Sequence, residues 1–202
     1  MKDLQRWFAG LSSSLVSDSL DRLQGTHCLK PLHGVQPLLG RALTVQVAPG
    51  DNLYIHAALR HAQPGDVLVI DGAGNTERAL VGEILLNAAR ARGVVGFVVD
   101  GAVRDVDAFI RDGFPCYGKN ITPRGPYKNG PGSIKRAVSI DGNVVCTGDV
   151  VLGDADGLVF VPADHAEHVA SRARELYEKE QRTLADIAAG TYDDTWLDRA
   201  IQ

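Results

Sequence analysis

Two short apolar runs, separated by a segment long enough for a helix, constrain the fold of this chain most. Residues 67–70 (VLVI) and 94–99 (VVGFVV) are rich in valine and isoleucine, and a Pro-Gly turn at residues 63–66 precedes the first run. Uninterrupted apolar runs of this length are typical of strands buried on both faces. The order predicts a βαβ unit with a right-handed crossover, and therefore an α/β fold.

The segment between the two strands is predicted to contain a Gly-rich turn, residues 71–76, followed by a helix. Gly82 falls inside the helical pattern, and an interior glycine costs about 1 kcal/mol relative to alanine. The regular helix is therefore predicted to begin near Gly82. The amides of Glu83, Ile84 and Leu85 would then be free donors of a first turn, suited to a carboxylate. The alternative is a glycine tolerated for close helix packing.

The helix after Gly82 is expected to carry an apolar stripe with Glu83 on one flank, facing either a cleft or water. The stripe comprises Leu80, Ile84, Ala88 and Ala91, with Asn87 beside Glu83.

Helices are predicted at both ends of the chain and antiparallel strands in its second half. The first 25 residues have helical spacing, with Ser12 or Ser13 as a cap and Gly25 as a stop. Frequent Gly/Pro turns after residue 121 favour antiparallel β structure. Residues 163–182 form a charged amphipathic pattern, and 183–202 are expected to be a helical tail. We interpret residues 1–202 as one domain with helical extensions at about 1–25 and 163–202.

Composition narrows the partners and the compartment. A net charge of −4 lacks the basic field that phosphates need, so direct nucleic-acid binding is not expected. The three cysteines are far apart, which favours a reduced, cytoplasmic setting. No apolar run approaches the roughly 18 residues of a membrane span, so no membrane association is expected. Structural roles are expected for the six histidines.

An Arg-Asp pair follows the second buried strand directly. Open α/β sheets bind ligands just beyond the carboxyl ends of their strands, which is where Arg104 and Asp105 stand. Asp105 could hold a hard divalent cation, and Arg104 could bind a carboxylate or a developing enolate. The alternative is a surface pair in which Asp105 caps the next helix. Lys119, Arg124 and Lys128 could form a basic rim for a second carboxylate, or only solvate loops.

Four sequence blocks together resemble a known family. The blocks are GDVLVIDG (65–72), VGE (81–83), VDGAVRD (99–105) and GDADG (153–157), and the similarity extends from about Ser17 to about Glu180. The chain resembles the divalent-metal-dependent 4-hydroxy-4-methyl-2-oxoglutarate aldolases, a group that includes the regulators of ribonuclease activity A. The resemblance implies a swivelling β/β/α domain, like the mobile phosphohistidine domain of phosphotransfer enzymes, assembled as a homotrimer or homohexamer.

The resemblance also implies roles for individual residues. The position of Asp105 coordinates Mg²⁺ or Mn²⁺, and that of Arg104 contacts substrate. The loop of Gly82, Glu83, Ile84 and Leu85 binds pyruvate through backbone amides, and the acid at Glu83 holds metal-bound water. A further acid reaches the metal from a neighbouring subunit, and spacing suggests Glu180, with Glu178 as the rival. The chain departs from the family where an acid often follows the aspartate by three residues, because Ala108 stands there.

The expected activity is metal-dependent retro-aldol cleavage of 4-hydroxy-4-methyl-2-oxoglutarate or a related 4-hydroxy-2-oxo acid to pyruvate. The same enolate would form in oxaloacetate decarboxylation, which is the expected second activity. Arg104 and Glu83 would be catalytic, with Glu83 acting through water. The alternatives are a protein-binding inhibitor of ribonuclease E activity without catalysis and a catalytically silent oligomer. Asp105 favours the enzyme, because several ribonuclease regulators carry glutamine at that position.

Overall fold

The computed structural model describes residues 2–34 and 36–201. The α-helices in these residues are Lys2–Phe8 (α1), Ser13–Ser19 (α2), Leu53–Ala58 (α3), Glu83–Arg90 (α4), Val106–Asp112 (α5), Ala166–Ala189 (α6) and Trp196–Ala200 (α7). The strands are Lys30–Pro31 (β1), Leu38–Val47 (β2), Asp66–Val81 (β3), Gly96–Val103 (β4), Cys116–Ile121 (β5), Gly132–Ile134 (β6), Val138–Ile140 (β7), Asn143–Val145 (β8), Val150–Gly153 (β9) and Leu158–Val161 (β10). None of the helices in this part of the chain is long and apolar enough to cross a membrane.

A curled mixed sheet organises the molecule, in the strand order β1-β5-β4-β3-β2-β9-β10, with β6 also paired to β2. Strands β2, β3, β4 and β5 run parallel to one another. Strand β9 pairs antiparallel with β2 and with β10, and β7 and β8 form a separate antiparallel hairpin. The predictions of an α/β fold, a parallel βαβ unit and an antiparallel second half are confirmed.

Burial on both faces explains why the central strands are apolar throughout. Every residue of β4 is buried, and residues 67–70 of β3 have no exposed surface. Beside them, the ring of Phe97 packs edge-on against Phe114 and Phe109, with centroids 5.1 Å and 6.1 Å away. Because these rings lie in the same core cluster as Leu85 and Leu86 of α4, they hold α4 and α5 close to the sheet.

The terminal helices share a second core. Leu4, Phe8 and Val16 from α1 and α2 cluster with Val169 and Ala173 of α6. The predicted helical start is therefore confirmed, as are helices beyond residue 163, although the first 25 residues form two helices. Ser12 caps α2 as expected, because its hydroxyl accepts a hydrogen bond from the Leu15 amide at 3.3 Å.

The expected stop at Gly25 was wrong, since α2 ends at Ser19. After α2, the left-handed backbone at Asp21 and Arg22 (φ 60° and 61°) does not continue a helix.

The Gly-rich segment 71–76 was predicted as the turn that ends a strand, which was wrong. Strand β3 continues to Val81, with register shifts against β4 after Asp71, Asn75 and Ala79. Positive φ angles at Ala73 and Gly74 mark a bulge inside the strand. The sequence pattern has the polarity of a turn because the bulge residues are partly exposed, while the flanking residues return to the sheet.

The predicted helix start near Gly82 is confirmed, because Gly82 is the N-cap of α4. The predicted apolar stripe was wrong: Leu80 belongs to β3, and Ile84 is 75% exposed. The buried face of α4 comprises Leu85, Leu86 and Ala89. The predicted stripe began too close to the N-terminus, and it therefore described a face of α4 that points away from the core.

Candidate active site

Strand β4 delivers Arg104 and Asp105 to the surface at its carboxyl end, immediately before α5 begins at Val106. The Arg104 amide donates to the Val81 carbonyl at 3.1 Å, which ties the ends of β3 and β4 together. Asp105 has a left-handed backbone (φ 58°, ψ 42°), which aspartate tolerates better than most residues. Its side chain makes no capping hydrogen bond to α5, although Asp105 holds the N-cap position. The interpretation of Asp105 as a helix cap is therefore wrong.

The Asp105 carboxylate turns towards the start of α4. Its Oδ2 atom accepts a hydrogen bond from the Glu83 amide at 3.0 Å and lies 3.6 Å from Nε of Arg104. The side chains of Arg104 and Asp105 remain 37% and 42% exposed. The structure thus brings together residues 82–83 and 104–105, two segments that local sequence patterns single out independently and that the resemblance places in one site.

Gly82 makes this approach possible. Its backbone is extended (φ −166°), so conformation alone does not require glycine here. A Cβ atom at this position would collide with Oδ2 of Asp105 and lie 2.9 Å from Cγ of Arg104. Only a residue without a side chain leaves the Asp105 carboxylate room beside the helix start.

The first turn of α4 presents backbone donors next to this pair. The Glu83 amide is taken by Asp105, and the Leu86 amide bonds back to the Gly82 carbonyl at 3.0 Å. The amides of Ile84 and Leu85 have no acceptor among the residues that the structure describes. These amides carry the partial positive charge of a helix N-terminus, which suits a carboxylate.

The Glu83 carboxylate points to a different neighbour. Its Oε1 atom is 2.8 Å from the Arg111 guanidinium of α5, and Arg111 also pairs with Asp112. Asp112 in turn pairs with Arg90 at 2.8 Å, so the four side chains form a chain of charges between α4 and α5. The hydrogen bonds that Arg111 donates to Asp112 and to Glu83 raise its pKa, so the guanidinium stays charged. To act on water beside Asp105, the Glu83 carboxylate would have to leave Arg111.

A small cleft, partly open to solvent, lies beside Arg104. Its walls are Asn52, His56, Ala79, Leu80, Val81, Gly82, Ile84, Leu85, Arg104, Pro126 and Lys128. Burial first, and then the nearby charge of Lys128, lowers the pKa of His56, so its imidazole is neutral at neutral pH. The cleft thus combines a guanidinium, an ammonium and a neutral imidazole.

Asn52 supports the floor of the cleft. Its Nδ2 atom donates to the Leu80 carbonyl at 3.0 Å, and the residue is only 4% exposed. Its Oδ1 atom is buried and has no hydrogen-bond partner among the described residues. A buried amide oxygen without a partner is costly, which makes it a candidate acceptor for a bound hydroxyl or water.

Sequence reasoning missed His56, Asn52 and Lys128 as cleft residues. It assigned structural roles to all histidines and left Lys128 open between a basic rim and solvated loops. Nothing near these residues in the sequence signals a site, because α3 and the loop at 126–130 meet only through the fold. Lys119, which the sequence offered as part of the same basic rim, lies away from the cleft and pairs with Asp100 at 2.5 Å.

The residues present fit a hard cation held by few protein ligands. Asp105 offers a carboxylate, yet no group of three His, Cys, Asp or Glu side chains surrounds it in the described ranges 2–34 and 36–201. Magnesium commonly binds through one or two carboxylates and otherwise water and substrate oxygens, so one anchoring aspartate is chemically sufficient. Glu180 lies on the exposed part of α6 and makes no ion pair with the cleft residues within the described chain. Its role stays a prediction.

Comparisons with known proteins agree with this architecture. Residues 13–160 match the family model described as RraA-like: Aldolase/RraA. A protein of Halalkalibacterium halodurans named "Putative 4-hydroxy-4-methyl-2-oxoglutarate aldolase" is 38% identical over 183 residues, which cover 89% of this chain and 87% of that protein.

Two solved structures have closely similar folds. RraAS2 of Streptomyces coelicolor, described as an unusual member of the RNase ES inhibitor RraA family, superposes with a TM-score of 0.80 at 28% identity, covering 90% of this chain and 96% of that one. The RNA-processing inhibitor RraA from Thermus thermophilis gives a TM-score of 0.68 at 29% identity over 74% and 92% of the two chains. With the family model matched over most of its length, the chain belongs to the RraA-like family, which joins aldolases and RraA proteins.

Proposed function

We propose that this protein is a divalent-metal-dependent aldolase that cleaves 4-hydroxy-2-oxo acids, such as 4-hydroxy-4-methyl-2-oxoglutarate, to pyruvate, and that it also decarboxylates oxaloacetate. The orientation of Asp105 carries the proposal: its carboxylate leaves α5 uncapped and sits beside Arg104 and the start of α4. Mg²⁺ or Mn²⁺ held by Asp105 would supply the Lewis acid that polarises the 2-keto group.

Arg104 and the start of α4 would bind the end of the substrate that becomes pyruvate. The guanidinium can pair with a carboxylate in a bidentate manner. Ile84 and Leu85 line the same cleft, and their backbone amides would donate to the same substrate group. These donors are fixed by the helix and need little reorganisation as negative charge develops on the enolate. Gly82 keeps this wall of the cleft free of side chain.

The far end of the cleft would bind the rest of the substrate. Lys128 provides an ammonium group among cleft residues, which favours substrates with a second carboxylate. His56 is neutral near pH 7 and can accept the proton of the C4 hydroxyl. The other candidate base is water oriented by Glu83, which requires release of the Glu83 carboxylate from Arg111.

Pyruvate release coupled to lactate dehydrogenase tests the activity directly. The assay uses 4-hydroxy-4-methyl-2-oxoglutarate and oxaloacetate, with Mg²⁺, with Mn²⁺, or with a chelator. We expect turnover of both substrates with either ion and its loss on chelation. Absence of metal-dependent pyruvate formation from both substrates would refute the aldolase.

His56→Gln and Glu83→Gln distinguish the two candidate bases. If His56 takes the proton, turnover by His56→Gln falls about 10²-fold or more. This variant also loses the decrease in rate at low pH that protonation of the base causes, whereas Glu83→Gln keeps that decrease. The reverse result assigns the base to water near Glu83.

Inhibition of a ribonuclease is the second candidate function. One structural neighbour is described as an RNA-processing inhibitor, and another as an unusual member of the RNase ES inhibitor RraA family. Ribonuclease E cleavage of an RNA substrate, with and without this protein, tests it. Inhibition by protein that releases no pyruvate would favour this second function.

A homotrimer or homohexamer would complete the site, with Glu180 reaching the cleft of a neighbouring subunit. The exposed apolar side chains of Leu184 and Ile187, which follow Glu180 on α6, support a subunit contact there.

A further inference from the structure

We propose that His27, Cys28 and Asp141 form a binding site for one zinc-class transition-metal ion, separate from the Asp105 site. The imidazole nitrogen, the thiol sulfur and a carboxylate oxygen all lie within 4.8 Å of one another. This is the only such group of three within residues 2–34 and 36–201. It shares no residue with the cleft, so the inference stands apart from the proposed aldolase activity.

Two segments far apart in the sequence are fixed together to form this cluster. Asp141 and Gly142 form the two-residue turn between β7 and β8, with φ angles of 50° and 83° that are typical of tight hairpin turns. From this turn, Oδ2 of Asp141 accepts hydrogen bonds from the amides of His27 at 2.7 Å and Cys28 at 2.9 Å.

A neighbouring residue adds a second connection. The Asn143 side chain donates to the Gly25 carbonyl at 3.2 Å and accepts from the Gly25 amide at 3.4 Å. These bonds align the 25–28 segment with the hairpin before any ion binds. The backbone positions of His27, Cys28 and Asp141 are therefore set by the fold.

The ligand atoms match a borderline metal and not a hard one. Nitrogen, sulfur and oxygen together suit Zn²⁺, Co²⁺ or Ni²⁺, whereas Mg²⁺ and Mn²⁺ prefer oxygen. Neighbouring ligand atoms around tetrahedral zinc lie roughly 3.3–3.8 Å apart, given its usual bond lengths. Small side-chain rotations of His27 and Cys28, both exposed, would close the present spacing.

The Cys28 thiol must lose its proton when a metal ion binds. A hydrogen bond to Asp141, and then the charge of that carboxylate, raises the pKa of Cys28, while Lys119 and Lys30 act in the opposite direction. Burial alone would raise the pKa of Asp141, but hydrogen bonds from the amides of Cys28 and His27 hold it below its usual value. The ion would replace the thiol proton between Cys28 and Asp141.

Titration of tag-free, reduced protein with Co²⁺ or Zn²⁺ in excess Mg²⁺ tests the site, because Mg²⁺ occupies oxygen-only positions. We expect one Co²⁺ per chain, with a thiolate-to-cobalt charge-transfer absorption that Zn²⁺ removes. Cys28→Ser should abolish the absorption, and Cys28→Ser, His27→Gln and Asp141→Asn should each weaken binding at least about 100-fold, since even outer partners of metal ligands contribute 10- to 100-fold. Asparagine keeps the left-handed turn at position 141 accessible.

Cys146→Ser is the matched control, because Cys146 is also an exposed free thiol but lies outside the cluster. It should retain both the absorption and the affinity. Circular dichroism of each variant checks that the fold is kept. The inference is overturned if the wild-type protein shows no thiolate-to-cobalt band, or if that band survives in Cys28→Ser.

Discussion

At the scale of single residues, the candidate site depends on the backbone at two positions, Gly82 and Asp105, which together place the Asp105 carboxylate. A left-handed Asp105 turns its side chain away from α5, and a glycine at position 82 leaves space for it beside the Glu83 amide. Neither choice contributes much packing, because the side chains of Arg104 and Asp105 are partly exposed. The geometry of these residues is therefore expected to affect function far more than stability.

Gly82→Ala separates the two effects. The added Cβ would displace the Asp105 carboxylate and the Arg104 side chain, both free to move into solvent. We expect metal-dependent pyruvate release to fall about 10²-fold, as for an ångström-scale misplacement, with stability changed by less than about 1 kcal/mol. The assay coupled to lactate dehydrogenase measures pyruvate release, and urea unfolding measures stability.

Gly10→Ala is the control, since Gly10 has φ 73° and nothing near its Cβ position. Gly10→Ala should lower the stability of the protein by about 1 kcal/mol and leave its activity unchanged. A Gly82→Ala variant with near wild-type turnover would contradict the proposed placement of Asp105.

The sequence predicted parts of this arrangement. The positions of Arg104 and Asp105 after a buried strand, and the helix start at Gly82, follow from local patterns. The Glu83–Arg111 pair does not, because the two residues are 28 positions apart and meet only through helix packing. His56 was missed for the same reason, since its neighbourhood is created by the loop at 126–130.

At the scale of elements, Asp51 joins two pieces of chain that line the cleft. Its carboxylate accepts hydrogen bonds from the Leu53 amide at the start of α3 and from the amides of Asn129 and Gly130. Helix α3 carries His56, and the loop at 126–130 carries Lys128. One buried carboxylate thus positions both.

Asp51→Asn should destabilise the protein by about 1–3 kcal/mol at pH 7, because the new NH₂ group would face an N–H donor. Burial would raise the pKa of Asp51, but its three amide hydrogen bonds hold the pKa below its ordinary value. A carboxyl group of this kind stabilises the fold above its unfolded pKa, near pH 4, and the contribution is lost as pH falls through the folded pKa.

The stability difference between wild type and Asp51→Asn should therefore shrink below about pH 4. Urea unfolding across this range measures it, with the exposed Asp194→Asn as control. A difference that stays constant down to about pH 2 would contradict this role of Asp51.

Strand β3 shows why the local sequence pattern did not predict the full length of an element. Residues 71–81 pair with β4 through three register shifts, so their spacing follows neither the strand nor the helix period. Pairing partners are set by the sheet and are invisible in the segment itself.

At the scale of the whole molecule, the C-terminal half of α6 has little of its own chain to pack against. Leu184 and Ile187 are 57% and 53% exposed, and Trp196 of α7 is 51% exposed. An apolar surface of this kind is typical of a subunit interface. We expect it to carry Glu180 to the site of a neighbouring chain.

Subunit mixing tests this assembly. Asp105→Asn and Glu180→Gln should each be inactive alone, because each removes one half of a shared site. In randomly reassembled oligomers, about one quarter of the sites would pair an intact Asp105 with an intact Glu180, restoring about one quarter of wild-type turnover. Native mass spectrometry, with one variant isotopically labelled, confirms the mixed oligomers.

Glu178→Gln in the same mixture tests the rival residue. Full activity of Glu180→Gln alone would contradict its role, and recovery with Glu178→Gln in its place would transfer the role to Glu178.

The most direct test of the account is metal-dependent pyruvate release by Asp105→Asn, at saturating Mg²⁺ and 4-hydroxy-4-methyl-2-oxoglutarate. Asparagine keeps the left-handed backbone and can still accept from the Glu83 amide, but it lacks the charge that would hold the ion. We predict a loss of at least about 10²-fold with unchanged thermal stability, while the exposed Asp107→Asn retains wild-type turnover. Turnover by Asp105→Asn within about twofold of wild type would contradict the central claim.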